Sequence, residues 1–160
     1  MKKVFVSIPL KGRSKEDIQK SLDRIEDAVK GLLDKDVEIL HQDLEKLPDF
    51  DKGEDAFEDN LEFLAEDLKL MADADYFATV DNNYDFRHCY LEEEIFRKYI
   101  AVNWQEKANH IMAFSLNIIA PDVAKKEKEE AERIFKMEFK SLGGDREEID
   151  EFYEEQANRD

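Results

Sequence analysis

Apolar positions recur along this chain with two distinct periods, and the alternation between them sets the expected fold. Val4 to Ile8 is a short apolar run that stops at Pro9, the pattern of a central first strand. After the loop Pro9 to Arg13, Ser14 with Asp17 makes a capping-box-like start, and Ile18, Leu22, Ile25, Val29 and Leu32 follow at helical spacing. The Asp34-Lys35-Asp36 break leads to a second strand, Val37 to Leu40, after which His41, Gln42 and Asp43 emerge beside the Pro9 loop. This β-α-β order generates a parallel sheet through a right-handed crossover.

Leu44 to Ala56 is an acidic connection carrying Pro48 and Gly53, longer than usual in an α/β unit and suited to a flap. Phe57, Leu61, Leu64, Leu68 and Met71 mark the expected apolar face of a second helix, with Asp59, Glu66 and Asp67 opposite. Tyr76 to Val80 reads as a buried third strand and Asp81 to Phe86 as a polar and aromatic loop. A third helix is expected to open on Glu92, Glu93 and Glu94, placing Glu92 in its first turn. Ala101 to Trp104 fits a fourth strand, whereas Ile111 to Ile119 fits either a strand or a buried helix turn. From Pro121 the composition shifts to Lys and Glu around the stripe Ile134, Phe135, Phe139 and Leu142, ending at Gly143-Gly144. Asp145 and Glu148 would cap a last short helix holding Ile149, Phe152 and Tyr153.

The expected class is therefore α/β: a Rossmann-like or flavodoxin-like three-layer fold over residues 1–120 with a short parallel sheet. An acidic helical extension, 121–160, would pack on that domain or on a second subunit, and its apolar stripe favours a homodimer or higher homo-oligomer. At 160 residues the chain is one domain's length, and a net charge of -17 argues against nucleic-acid polymers and anionic membranes as partners. No stretch reaches membrane-spanning length, the first apolar run is too short for a signal peptide, and Cys89 is the sole cysteine, so the cytoplasm is the expected location.

His41, His88 and His110 are scattered and form no metal signature, and no cofactor is expected. G-x-S-x-G, Walker A and G-x-G-x-x-G motifs do not occur. Cys89 beside His88 reads as buried packing rather than a thiolate pair. Near one predicted sheet edge stand three carboxylates, Asp67, Asp81 and Glu92. Paired carboxyl groups about a sugar's width apart serve as nucleophile and proton donor in glycosidic cleavage. Glu92 to Glu94 also fit a solvated helix start that complements the dipole. The loop from Ser7 to Ser14 offers Gly12, Arg13 and Ser14 as the parts of a phosphate seat, or equally an ordinary strand-to-helix turn with a Ser cap.

The order V-F-V-S-I-P-L-K-G-R, V-E-I-L-H-Q-D, D-L-K-L-M-A-D-A-D-Y-F and C-Y-L-E resembles the nucleoside 2-deoxyribosyltransferase superfamily over roughly the first two thirds of the chain. The resemblance extends to its deoxynucleoside 5'-monophosphate N-glycosidase branch and related small phage proteins. It implies that Glu92 is the nucleophile and that Asp67, eight positions before Asp75, assists at the nucleobase. Ile8, Gly12, Arg13 and Ser14 would hold the sugar or its phosphate, with Asp81 and Tyr84 also at the substrate. Where such proteins usually carry glycines around the nucleophile, this chain has His88, Glu94 and Phe96. The implied reaction is cleavage or transfer at the N-glycosidic bond of a deoxynucleoside or its 5'-monophosphate. The alternatives are an inactive nucleotide-binding protein of the same fold, acting as sensor or sequestering protein, and an acidic nucleic-acid mimic.

Overall fold

Val4, Phe5 and Val6 are buried from both sides in strand β1 (Lys2–Val6), as a run without polar interruption requires. The computed structural model describes residues 1–33, 36–46, 60–100 and 110–141. Its elements follow as α1 (Lys15–Leu33), β2 (Val37–Leu40), a 3-10 turn Leu44–Lys46, α2 (Asn60–Ala72), β3 (Tyr76–Val80) and a 3-10 turn Asn83–Asp85. Then come α3 (Arg87–Ile95), a π-helical turn Phe96–Ile100, β4 (Ile111–Phe114), α4 (Leu116–Ile119) and α5 (Pro121–Ser141). The fold is mixed α/β with a four-stranded, all-parallel sheet in the order β2-β1-β3-β4.

The chain steps from β1 outward to β2, then back past β1 to β3. Two right-handed crossovers in opposite directions put their helices, α1 and α2, on opposite faces. On the α2 face, Phe5, Leu40 and Phe77 from the strands pack with Met71 and Ala74 from the α2 end and with Phe96 of the π turn. Phe77 stacks near both Phe5 and Phe96, at ring-centroid distances of 5.8 and 5.3 Å. In the expected α1 stripe Ile18, Leu22, Ile25 and Val29 are buried as their spacing predicts, whereas Leu32, in the last turn, is 64% exposed. The Ser21 hydroxyl on that stripe donates to the Ile119 carbonyl of α4 at 2.8 Å, fastening the segment after β4 to α1.

Three expectations change. Of the expected apolar face of α2, Leu64 and Met71 do turn inward, but Leu61 is 77% exposed and Leu68 is exposed too, and the inward stripe runs through Phe63, Leu64, Asp67, Leu70 and Met71, so Asp67 is not on the opposite face. Both stripes have helical period, and the one containing a carboxylate is inward because that carboxylate has partners there. The third helix begins at Arg87, so Glu92 sits in its second turn rather than its first. Phe86 occupies the N-cap without a side-chain cap bond, and the backbone of the Asn83–Asp85 turn starts the helix through Phe86 N–H to Asn83 O at 2.9 Å. Residues 111–119, open between strand and helix, are both in succession. Phe57, Asp59, most of the expected flap, Ala101 to Trp104 and the segment after Ser141 lie outside the described residues.

The chain divides into compact units Met1–Pro121 and Asp122–Asp160. In the second, Phe135 and Phe139 lie 5.9 Å apart on α5, and Ile134 and Met137 are exposed. No helix among the described residues is long and apolar enough to cross a membrane.

Candidate active site

Side chains alternate along a strand, so Ser7, two residues beyond Phe5, points to the α3 side of the sheet. The backbone there stays in the sheet, with Ser7 N–H donating to Ala78 O at 2.9 Å. The Ser7 hydroxyl donates to Glu92 Oε2 at 2.5 Å, a buried bond between the end of β1 and the second turn of α3. Glu92 is 2% exposed and Asp67 4%. The two buried carboxyl groups are near enough to shift each other's ionisation, and Gln42 lines one cavity with them. Gln42 also donates to the Phe63 carbonyl of α2 at 2.7 Å, which ties the end of β2 to the helix that carries Asp67.

These groups border a small cavity of about 30 Å³ at the carboxyl ends of β1 and β2, the side of an open parallel sheet where ligands bind. Ser7, Ile8, His41, Gln42, Asp67, His88 and Glu92 line it, with Phe5, Leu10, Leu44 and Phe63 among the apolar walls. A polar floor within apolar walls is the usual composition of a small-molecule site.

Burial raises Glu92 well above the ordinary carboxylate range, and the neighbouring Asp67 charge raises it further while His88 opposes both. Asp67 is also raised, first by burial, with the bonds from Glu92 and Gln42 and the nearby His88 working against the shift. Both carboxyl groups thus hold protons more readily than exposed ones do. The first-turn position expected for Glu92, and the dipole stabilisation that comes with it, do not apply.

His88 lies one turn before Glu92 on α3, and its Nε2 is 2.9 Å from the Ile8 carbonyl. Because a carbonyl only accepts, Nε2 carries the hydrogen. Cys89 is fully buried and its thiol is pushed up to about 12 by desolvation, so it is a neutral packing group. Glu94 pairs with Lys98 at 2.8 Å and Phe96 lies in the core, so neither lines the cavity.

Of the residues singled out from sequence, Ile8, Asp67 and Glu92 meet at this cavity; Gly12, Arg13, Ser14, Asp81 and Tyr84 are not among its lining. Gly12, at φ 67°, shapes a turn closed by Arg13 N–H to Leu10 O at 3.2 Å. Arg13 is 4% exposed: its guanidinium donates to the Pro9 carbonyl at 2.8 Å, the Asp17 carbonyl at 2.9 Å and Ser21 Oγ at 2.7 Å. Ser14 caps α1 by accepting from Asp17 N–H at 3.2 Å and donating to Asp17 Oδ2 at 2.7 Å. Asp81 Oδ1 accepts from Leu116 N–H at 3.0 Å and so starts α4, while Tyr84 is 65% exposed. Sequence reasoning assigned no role to Ser7 or Gln42 and set His88 aside. Their signal is position, directly after β1, directly after β2 and four residues before Glu92.

Among the described residues no group of three His, Cys, Asp or Glu side chains is placed to hold a metal ion. Comparison with protein-family models, with curated proteins and with solved structures finds no match to this chain.

Proposed function

We propose that the protein cleaves or transfers at the N-glycosidic bond of 2'-deoxynucleosides or their 5'-monophosphates, with Glu92 as nucleophile and Asp67 as proton donor. The observation that carries this reading is the buried Asp67–Glu92 pair lining a cavity at the carboxyl edge of a parallel sheet. Sheet order β2-β1-β3-β4 is compatible with the Rossmann-like or flavodoxin-like architecture expected for such an enzyme.

Two adjacent carboxyl groups hold one proton between them, since both cannot ionise easily in a buried site. When that proton rests on Asp67, Glu92 is a carboxylate and attacks the anomeric carbon C1'. The C1'–N bond breaks through an oxocarbenium-like transition state, its electron pair goes to the base, and Asp67 supplies the proton. The result is a glycosyl ester on Glu92 and an ionised Asp67. Water then attacks C1', the ester bond breaks to regenerate the Glu92 carboxylate, and the water's proton returns to Asp67. A second base in place of water gives transfer. Ser7 keeps one Glu92 oxygen engaged, leaving the other to form the bond.

Incubation with each deoxynucleoside and each 5'-monophosphate, with chromatography for free base, tests this directly. Mass spectrometry with a slowly turning-over 2'-fluoro substrate should find the sugar on the Glu92 peptide. No base from any substrate, or an adduct on another residue, overturns the assignment. Binding of a nucleotide without base release would favour the inactive nucleotide-binding alternative.

A further inference from the structure

Strand β3 carries a buried polar group that the reaction above does not use. Thr79 is 1% exposed, and among the described residues its buried hydroxyl oxygen has no hydrogen-bond partner. A hydroxyl left in that state costs stability, so its presence points to a use outside folding. The sheet decides what stands beside it. Phe5 pairs with Phe77 and Val6 with Ala78, and the bond from Ser7 N–H to Ala78 O holds that register at the end of the ladder. Ser7 and Thr79 are the next neighbours along these strands, which lie about 4.7 to 4.9 Å apart, and their side chains share the side of Phe5 and Phe77. On its other flank Thr79 pairs with Ala113 of β4, which offers no polar side chain.

Over the same side run α3 and its π turn, with Cys89, Glu92 and Phe96 buried. Phe96 rests against Phe77, and Glu92, one turn earlier, takes the hydroxyl hydrogen of Ser7. Ser7 thus spends its single hydrogen on Glu92 while its oxygen can still accept. Thr79 holds the complementary group, a hydroxyl hydrogen without an acceptor, which a χ1 rotation turns toward Ser7.

We propose that Thr79 is a positioning residue whose hydroxyl donates to Ser7 Oγ when Glu92 is charged, completing a Thr79–Ser7–Glu92 chain of hydrogen bonds that holds the attacking carboxylate. Its catalytic meaning rests on the reading of Glu92 as nucleophile; the chain itself does not. A hydroxyl that accepts a hydrogen bond donates a stronger one, and donation to a carboxylate favours its ionised form. Because Ser7 bonds Glu92, the effect falls on the member of the carboxyl pair that must be bare to attack. Asp67 on α2 and His88 and Cys89 on α3 also bear on Glu92, and a substitution at Thr79 leaves all three in place.

The test substitutes Thr79→Val, which keeps the branched shape and removes the hydroxyl, with Thr79→Ala as a second variant lacking it. The protonated-carboxyl infrared band of Glu92, assigned by its loss in Glu92→Gln, is followed across pH. Its midpoint should move to higher pH in both variants and return toward the wild type in Thr79→Ser; an unchanged midpoint overturns the proposal. In a Ser7→Ala background Thr79→Val should shift nothing further, and an undiminished shift there would show that Thr79 does not act through Ser7. Thr79→Val should melt no lower than the wild type, since no bond is lost; a clearly lower melting temperature would mean the hydroxyl is already bonded elsewhere, which also overturns it. Where base release is measurable, kcat should fall about three- to tenfold in Thr79→Val with KM little changed. Absence of base release in the wild type would sink the nucleophile assignment, and the infrared titrations would still decide the role of Thr79.

Discussion

Asp67, in the buried stripe of α2, and Glu92, in the second turn of α3, line one cavity as a buried pair of carboxyl groups, each acting on the other's ionisation. Each is an acid placed where a hydrophobic side chain would normally sit. Such a pair is costly to the fold and useful for chemistry, and the following predictions separate the two effects.

Glu92 and Asp67 have folded-state pKa values above their unfolded ones, so the folded chain binds protons more tightly. The stability this contributes is present below the ordinary carboxylate range and is lost as pH rises through the raised values. Glu92→Gln, which cannot ionise, should therefore melt higher than the wild type at pH 8, with the gap closing toward pH 4, while abolishing base release. A thermal-melt series against pH checks this; a variant less stable at pH 8 would contradict it. Asp75, lowered by the Lys3 N–H and by Lys2, acts in the opposite sense and loses its contribution as pH falls.

Ser7→Ala removes the donor to Glu92 Oε2 without altering the backbone bond to Ala78. A buried hydrogen bond to a charged group is worth about 1.5 to 3 kcal/mol, so kcat should fall at least about tenfold with KM nearly constant. Equal changes in both constants would mean Ser7 contributes to binding rather than to the reactive carboxylate.

Arg13→Ala should be a stability mutation. It removes the donor to the Pro9 and Asp17 carbonyls and to Ser21 Oγ, which keeps only its own bond to Ile119 O, and a loss of about 2 to 4 kcal/mol in urea unfolding is expected. Lysine should not restore it, because a single ammonium cannot reproduce the guanidinium fork. The ratio of nucleoside to monophosphate affinity should stay unchanged; a selective loss of monophosphate binding would put Arg13 at the phosphate after all.

Asp81→Ala should cost about 1 kcal/mol through the lost acceptor for Leu116 N–H, and Asp81→Asn much less. Neither should change KM, and a raised KM in both would return Asp81 to the substrate.

Local pattern was enough for much of the scaffold. Short runs of apolar, aromatic and β-branched residues specify buried strands, and so Val4 to Val6 of β1 and Tyr76 to Val80 of β3 were legible; Ser14 and Asp17 cap α1 through bonds that span three residues. Asp67, Asp81 and Glu92 stood out in the sequence as carboxylates near one predicted edge, yet that Asp67 and Glu92 share a cavity while Asp81 starts α4 was not legible. On α2 two stripes share the helical period, and only partners distant in sequence, Gln42 and Glu92, decide that Asp67 is inside and Leu61 outside. On α3 the start lacks a capping side chain, so the three glutamates looked like its first turn, whereas the preceding 3-10 turn sets it at Arg87. Arg13 has the same sequence context whether it faces an anion or the turn beneath it, and the Ser21 hydroxyl eight residues later is among the partners that draw it inward. Side-chain period and capping act over one to four residues and can be read from order alone. Burial, protonation and hydrogen-bond partnership depend on what the sheet brings alongside, and these only the tertiary structure decided.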